Sequence, residues 1–240
     1  MRYFRSRRMQ RLVCLFGITA QTRVLDVGGE INIWLSLPIR PRITFLNLSA
    51  ARVGSSEVDY VVGDGRLLPF EDKSFDLVFS NSVIEHLGDF ASQQLFAKEA
   101  VRVGIRYCVQ TPNRWFPIDP HLFTPLIHFL PQSWQRRLVR NFTTWGLVTR
   151  PTQEQCDELL QEVRLLGYRE FKGLFPNAEI YRERFLGLTK SLVAIGCGDR
   201  SLSVQQETTG EGHQLQESPR FAGQSPAADR PNLRRRWVNE

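Results

Sequence analysis

The 240-residue chain is long enough for one ordinary α/β domain with additional terminal segments. Hydrophobic residues make up 42% of it and charged residues 23%, a balance that is typical of globular proteins and excludes a fully disordered chain. The formal net charge of +6 comes from six arginines within residues 1–23, which hold no acidic residue. The rest of the chain is neutral, so the charge does not indicate a nucleic-acid-binding domain.

Residues 1–22 are predicted to form a basic amphipathic helix in front of the first strand. Phe4, Leu12, Leu15 and Phe16 lie near helical spacing, with arginines on the other faces. The apolar run that follows the arginines is short for a signal peptide. We favour packing of the stripe on the domain, because burying each large apolar side chain contributes about 1.5–3 kcal/mol. Peripheral contact with an anionic membrane is the alternative.

Residues 23–198 alternate strand-like and helix-like segments, which predicts a single α/β domain. We expect a Rossmann-like, mostly parallel sheet with helices on both faces. The strand-like runs are 24–27, 43–48, 58–62, 75–79 and 107–110, and the helical ones are 90–103, 152–162 and 168–175. Two late apolar runs, 179–184 and 191–195, are predicted to complete the sheet as a hairpin.

Two regions depart from this alternation. Residues 112–150 begin with five prolines and five Trp or Phe residues between positions 112 and 134. Because proline disrupts core strands, we predict a cap insertion over the carboxyl edge of the sheet. Residues 199–240 are rich in Ser, Gln, Glu, Gly and Pro and are predicted to be a disordered tail.

The four cysteines, Cys14, Cys108, Cys156 and Cys197, are far apart in the sequence. Their spacing shows no CxxC pair and no cluster with histidine, so it predicts neither a zinc site nor a disulfide framework. We therefore expect reduced thiols, a cytoplasmic location and no metal ligands.

The run VLDVGGE, residues 24–30, is an apolar strand that leads into a glycine turn. In an α/β sheet such a turn lies at the carboxyl edge, where ligands bind, and Gly28 and Gly29 let the backbone approach a ligand closely. A dinucleotide site would favour G-x-G-x-x-G, which is absent. The turn by itself is compatible with a purely structural role.

Residues 61–87 carry a more specific pattern. Gly63-Asp64, then Leu68-Pro69-Phe70, then the run from Ser74 to Val78 occur in order, at the right distance after the glycine turn. This arrangement closely resembles the type-11 methyltransferase domain family of class I S-adenosylmethionine (SAM)-dependent methyltransferases. The resemblance covers residues 23–112 and extends more loosely to 195. It implies a Rossmann-like fold, SAM as the cofactor and methyl transfer as the activity.

The resemblance also implies that eight residues at the carboxyl ends of the strands hold SAM. They are Asp26, Gly28 and Gly29 at the methionine end, Asn47 at the ribose, Asp64 and Gly65 at the adenine, and Ser80 and Asn81 beside the methionine and sulfonium. Two positions depart from the family pattern. Glu30-Ile31-Asn32 replaces a further glycine, and Asn47 stands where an acidic residue is usual. A catalytically silent SAM-fold scaffold is therefore an alternative.

Glu85 and His86 follow the fourth strand and are the first candidates for the base that removes a proton from an acceptor hydroxyl. A structural role for His86 at a helix end is the alternative. Asp119 and His121, in the proline-rich region, are second candidates. No nucleic-acid-binding module is recognisable, so we expect a small-molecule or lipid-like acceptor. The arginine-rich start leaves an RNA methyltransferase as the other possibility.

Overall fold

The computed structural model describes residues 2–49 and 59–198. The strands are β1 (Arg23–Val27), β2 (Arg42–Asn47), β3 (Asp59–Val62), β4 (Phe75–Asn81), β5 (Gly104–Pro112), β6 (Glu179–Phe185) and β7 (Leu188–Cys197). The α-helices are α1 (Arg2–Phe16), α2 (Ile31–Trp34), α3 (Phe90–Val103), α4 (Gln132–Phe142), α5 (Thr144–Thr149), α6 (Gln153–Glu162) and α7 (Tyr168–Leu174). Short 3₁₀ helices span Ile84–His86 and Ile127–Phe129. Within the described ranges, every helix is too short or too polar to cross a membrane. The tail predicted at 199–240 lies outside the described residues.

One seven-stranded sheet has the order β3-β2-β1-β4-β5-β7-β6. The first five strands are parallel, and β7 pairs antiparallel with both β5 and β6. From β1 the chain adds β2 and β3 on one side and then continues with β4 on the other side. The point between β1 and β4 is therefore the switch point where open α/β sheets bind ligands. The predicted Rossmann-like fold is confirmed.

Helices cover both faces of the sheet. One hydrophobic cluster packs α3 and α7 against Leu25, Val78 and Val109. The other packs α1 and α2 against the opposite face, around Val24 and Phe79. This division follows from the strand, in which successive side chains point to opposite faces.

The front helix α1 belongs to the second of these clusters. Met9 and Leu12 are almost completely buried, and Phe16 is nearly so. Leu12 and Phe16 therefore agree with the packing interpretation and are not available to a lipid surface. Leu15 is half-buried against the same cluster, and the side chain of Phe4 lies outside the described part of the chain.

Local sequence signals place the helices α3 and α6 where they were predicted. Asp89 caps α3 by accepting a hydrogen bond from the backbone N–H of Ser92 at 2.7 Å. Thr152 and Gln155 form a reciprocal capping box at the start of α6. The late hairpin is also confirmed, with Leu186 and Gly187 at positive φ in its two-residue turn.

The proline-rich region contains helices that the sequence interpretation did not predict. Pro131 immediately precedes α4, and no proline follows it until residue 151, so α4 and α5 form where the prolines stop. Leu122, Ile127 and Val139 pack with Cys156 of α6 in a small separate core. The region is thus held partly by its own hydrophobic cluster.

Candidate functional site

A cavity of about 800 Å³, here called the first cavity, opens at the carboxyl ends of β1, β2, β3 and β4. Five of the eight residues predicted to hold the cofactor line it: Gly28, Gly29, Asn47, Asp64 and Gly65. Glu30 and His86 line it as well. The cavity lies at the switch point of the sheet, as expected for parallel strands whose carboxyl ends share one edge.

Two glycines that line the first cavity, Gly28 and Gly65, lie too close to neighbouring side chains to carry a Cβ atom. Gly28 has φ +74°, and its N–H donates to the Leu46 carbonyl at 2.8 Å. A Cβ at Gly28 would lie 2.4 Å from Val83 Cγ2, and one at Gly65 would lie 2.9 Å from the Phe96 ring. Both positions therefore exclude larger residues and keep the floor of the first cavity open.

Asp26 lies beneath the glycine turn and does not line the first cavity. The side chain is fully buried, and its Oδ2 accepts a hydrogen bond from Trp34 Nε1 at 2.7 Å. Burial raises the pKa of Asp26 to about 7, and the Trp34 hydrogen bond opposes this shift. Asp26 Oδ1 has no hydrogen-bond partner among the described residues. In this structure the carboxyl group anchors α2 under the turn.

Asn47 and Asp64 each present an oxygen acceptor to the first cavity. The Asn47 amide donates to the Gly29 carbonyl at 3.3 Å, which leaves Oδ1 to accept from a ligand hydroxyl. The Asp64 carboxylate accepts from Arg66 Nη2 at 2.6 Å and from the Arg66 backbone N–H at 2.8 Å. The Arg66 side chain, the main cause, holds the pKa of Asp64 below its usual range.

Ser80 and Asn81 do not line the first cavity. Ser80 is buried and donates to the Val27 carbonyl at 3.1 Å, so it joins β4 to β1. Asn81 Oδ1 accepts from Arg8 on α1. The cofactor-binding roles of all eight residues stay predictions, and Asp26, Ser80 and Asn81 are the three that do not line the first cavity.

A second cavity of about 370 Å³ lies on the other side of Ser82, between the sheet edge and the proline-rich region. Ser82 lines both cavities. It has φ +58°, an unusual conformation for serine, and its N–H and Oγ donate to the Gln110 carbonyl oxygen and Oε1, both at 3.0 Å. The second cavity is lined by Arg8 and Lys190 and by apolar side chains: Phe116, Ile118, Phe123 and Phe185.

Arg8 fixes α1 to the strand ends beside the second cavity. Its guanidinium donates to both Glu183 carboxylate oxygens, at 2.7 and 2.6 Å, and to Gln110 Oε1 at 2.9 Å. The side chains of Arg8 and Glu183 are only 8% and 13% exposed. In the sequence Arg8 is one of several basic residues near the start of the chain, and no local signal indicates its place at the site.

The candidates Glu85, His86 and His121 form one cluster. His86 Nε2 and His121 Nε2 are 3.2 Å apart, although 35 positions separate the residues. Glu85 is fully buried and accepts from Thr111 Oγ1 at 3.1 Å, and burial raises its pKa to about 7. Burial, together with the neighbouring His86, lowers the pKa of His121. Glu85 lines neither cavity, and the catalytic roles of Glu85 and His86 stay predictions.

The residues of the first cavity fit SAM. The glycine floor admits a ligand close to the backbone, Asn47 Oδ1 suits a ribose hydroxyl and the Asp64 carboxylate suits the adenine amine. Trp34, Arg8 and Ser82 support this edge and were missed by sequence reasoning. The alternation of side-chain direction along β1 could have indicated Trp34. It places Asp26 on the same face of the sheet as Val24, and this face packs against α2, which contains Trp34.

Comparisons with known proteins concern the domain that contains this cavity. Residues 39–106 match the family model described as a methyltransferase domain. A search of curated proteins gives no match.

Solved structures show the fold. A Rhodobacter sphaeroides protein named as a Zn-dependent alcohol dehydrogenase has a TM-score of 0.52 at 12% identity, over 79% of this chain and 89% of its own. The PH0226 protein of Pyrococcus horikoshii has a TM-score of 0.49 at 16% identity, over 80% of this chain and 90% of its own. Phosphoethanolamine N-methyltransferase 2 of Haemonchus contortus, solved with SAM, has a TM-score of 0.48 at 14% identity, over 72% of this chain and 37% of its own. The first of these supports the Rossmann-like assignment, and at this identity it shows the fold alone.

Asn47 and Asp64, the acceptors at the ends of β2 and β3, lie within the matched residues, and the glycine turn precedes them. Residues 39–106 are thus similar to the methyltransferase-domain family, which supports SAM-dependent methyltransferase activity.

Proposed function

We propose that the chain transfers the SAM methyl group to a small, largely apolar acceptor held in the second cavity. The observation that carries this proposal is the junction of the two cavities at Ser82. A methyltransferase must align its acceptor with the methyl group and exclude water. Two adjoining cavities that share one wall residue meet the first requirement.

The size and lining of the second cavity favour a small molecule. Its volume of about 370 Å³ lies near the lower end of the roughly 300–1,000 Å³ typical of small-molecule sites. Phe116, Phe123 and Phe185 offer flat apolar surfaces that suit a ring or an acyl chain. Lys190 lies at the same wall beside the Arg8–Glu183 ion pair, which favours an acceptor that also carries a polar group.

When bound, SAM supplies an activated methyl group, so the cofactor carries the difficult part of the chemistry. The residues of this chain bind and orient the two reactants. Arg8 and Gln110 hold Ser82 in its unusual conformation through a connected set of hydrogen bonds. This arrangement keeps the wall residue that the two cavities share at a fixed position.

The first test follows methyl transfer from radiolabelled SAM. The purified chain is incubated with a small-molecule extract, a lipid extract or total RNA from the same cells, and each fraction is then counted. We expect label in an extractable small molecule or lipid. Label confined to RNA would overturn the proposed acceptor class, and no label in any fraction, with SAM bound, would favour the silent scaffold.

The second test uses whichever acceptor the first test finds. Ile118→Trp places a larger side chain in the second cavity and should lower methyl transfer at least tenfold while leaving SAM affinity unchanged. Val148→Trp is the matched control, since Val148 is 76% exposed and lines neither cavity. Equal activity of the two variants would place the acceptor elsewhere.

A further inference from the structure

Two imidazole rings from distant segments face each other through the same nitrogen atom. His86 lies at the end of the 3₁₀ helix after β4, and His121 lies in the proline-rich region. Their Nε2 atoms are 3.2 Å apart and their rings are nearly perpendicular, at 87°. One carboxylate oxygen of Glu85 lies within 4.8 Å of one ring nitrogen of each histidine.

The other nitrogen of each ring lies beside a carboxylate. His86 Nδ1 is 3.3 Å from Glu162 Oε1, whereas His121 Nδ1 is 3.8 Å from Asp119 Oδ1 and has no hydrogen-bond partner among the described residues. The Glu162 carboxylate favours the His86 tautomer with the hydrogen on Nδ1, as it does for histidines that bind metals. His86 Nε2 then presents a lone pair to His121 Nε2, and either a proton or a metal ion can join the two nitrogens.

The Glu85 carboxyl group favours a metal ion over a single proton. Its side chain is fully buried, and Oε1 has no hydrogen-bond partner among the described residues. A buried carboxylate is costly unless it is paired or coordinates a metal. A divalent ion would compensate this charge and accept both nitrogen lone pairs at once.

We propose that Glu85, His86 and His121 bind a divalent transition metal ion of the zinc type. With Zn–N bonds of about 2.0–2.1 Å, two nitrogens of a tetrahedral site lie roughly 3.3 Å apart, close to the 3.2 Å seen here. The Glu85 oxygen, within 4.8 Å of one nitrogen of each ring, would reach such an ion after a local shift or through a water molecule. Imidazole and carboxylate are both usual zinc ligands.

The surroundings provide access to the ion and a role for it. His86 lines the first cavity, and His121 lines a third cavity of about 500 Å³ between α6 and the proline-rich region. An ion can therefore enter from solvent. Once bound, it would tie the proline-rich region to the loop after β4 and so fix one wall beside the cofactor. This inference is independent of the proposed acceptor.

The test measures metal binding directly in the full chain purified without a polyhistidine tag. The protein is stripped with a chelator and titrated with Zn²⁺ against a competing chromophoric chelator. We expect uptake of one equivalent and a rise in melting temperature on addition of Zn²⁺. His121→Ala and His86→Asn should each weaken binding at least tenfold, and Glu162→Gln should weaken it by roughly 10–100-fold if its carboxylate supports His86.

His128→Ala is the matched control. His128 Nδ1 also lies near Asp119, at 3.7 Å, but the residue is outside the cluster, so this variant should bind Zn²⁺ like the native chain. Folding of each variant is checked by its circular dichroism spectrum. Absence of Zn²⁺ uptake by the native chain, or equal uptake by the His121→Ala variant, would overturn the proposal.

Discussion

Gly29 lies directly against the carboxyl group of Asp26. A Cβ atom at position 29 would be 2.0 Å from Asp26 Oδ2, the oxygen that accepts from Trp34. Steric contact with Asp26, three positions earlier, therefore requires a glycine at position 29, in addition to any close approach of a ligand. The contact ties the turn, the buried carboxyl group and α2 into one unit beneath the first cavity.

This contact predicts the effect of Gly29→Ala. The added methyl group must displace the Asp26 side chain from Trp34, and overpacking of this kind typically costs about 1–3 kcal/mol. We expect a lower melting temperature and weaker SAM binding, measured by calorimetry. Gly173→Ala is the control, because its Cβ would meet nothing within 4 Å. The Asp26→Ala/Gly29→Ala double variant should lose less stability than the two single effects added together, and simple additivity would contradict the contact.

The buried Asp26 carboxyl group also predicts a pH dependence of stability. Its pKa is raised from 3.8 to about 7 in the folded chain, mainly by burial. Between these values the unfolded chain releases the proton while the folded chain keeps it. The free energy of unfolding therefore falls as pH rises through this window, by at most about 1.4 kcal/mol per pH unit from this group.

Asp26→Asn should flatten this slope. Chemical denaturation of the native chain and the variant between pH 4.5 and 7 provides the comparison. Glu85, whose pKa is also raised by burial, is present in both proteins, so the difference between the two slopes isolates Asp26. Parallel slopes would show that the Asp26 carboxyl group titrates near its ordinary value.

The Arg8–Glu183 pair predicts how firmly α1 is attached. Arg8→Met leaves a mostly buried carboxylate without its main partner, which costs about 3–5 kcal/mol for buried pairs. We expect the lower end of this range, because Lys190 also interacts with Glu183. The Arg8→Met/Glu183→Met double variant should recover most of the loss.

The control for this experiment is an exposed pair. Arg136 forms an ion pair with Asp157 and is 61% exposed, so Arg136→Met should change the free energy of unfolding by no more than about 1 kcal/mol. Thermal denaturation of the four proteins provides the measurement. A loss of the same small size in Arg8→Met would show that α1 is held by its apolar residues alone.

The parts of the fold that the sequence predicted depend on local signals. The glycine turn was placed at the carboxyl edge because ligands bind there in α/β sheets, and the resemblance to the methyltransferase family assigned Asp64 to the same site. The helix at Phe90–Val103 was predicted to the residue from its helix-like sequence, and the structure shows Asp89 capping it.

The parts that the sequence could not predict depend on contacts between distant positions. Arg8 and Glu183 are separated by 175 positions, and His86 and His121 by 35. No periodicity or spacing rule connects such pairs, because the packing of α1 and of the proline-rich region decides which side chains meet. The expectation of no metal ligands rested on spacing alone and could not take the His86–His121 contact into account.

The last prediction concerns Asp64 at the end of β3. Arg66 and the local backbone occupy part of its carboxylate, but a carboxylate offers about four lone-pair positions, so an adenine amine can still be accepted. A hydrogen bond to a charged group contributes about 1.5–3 kcal/mol, so Asp64→Asn should weaken SAM binding at least tenfold. The melting temperature without SAM should change little, because the Asp64 side chain is one-third exposed and surface ion pairs contribute little.

The control is Asp72→Asn, which removes a carboxylate from another arginine pair, outside the first cavity, and should leave SAM affinity unchanged. Equal SAM affinity of the Asp64→Asn variant and the native chain would place the adenine elsewhere in the first cavity.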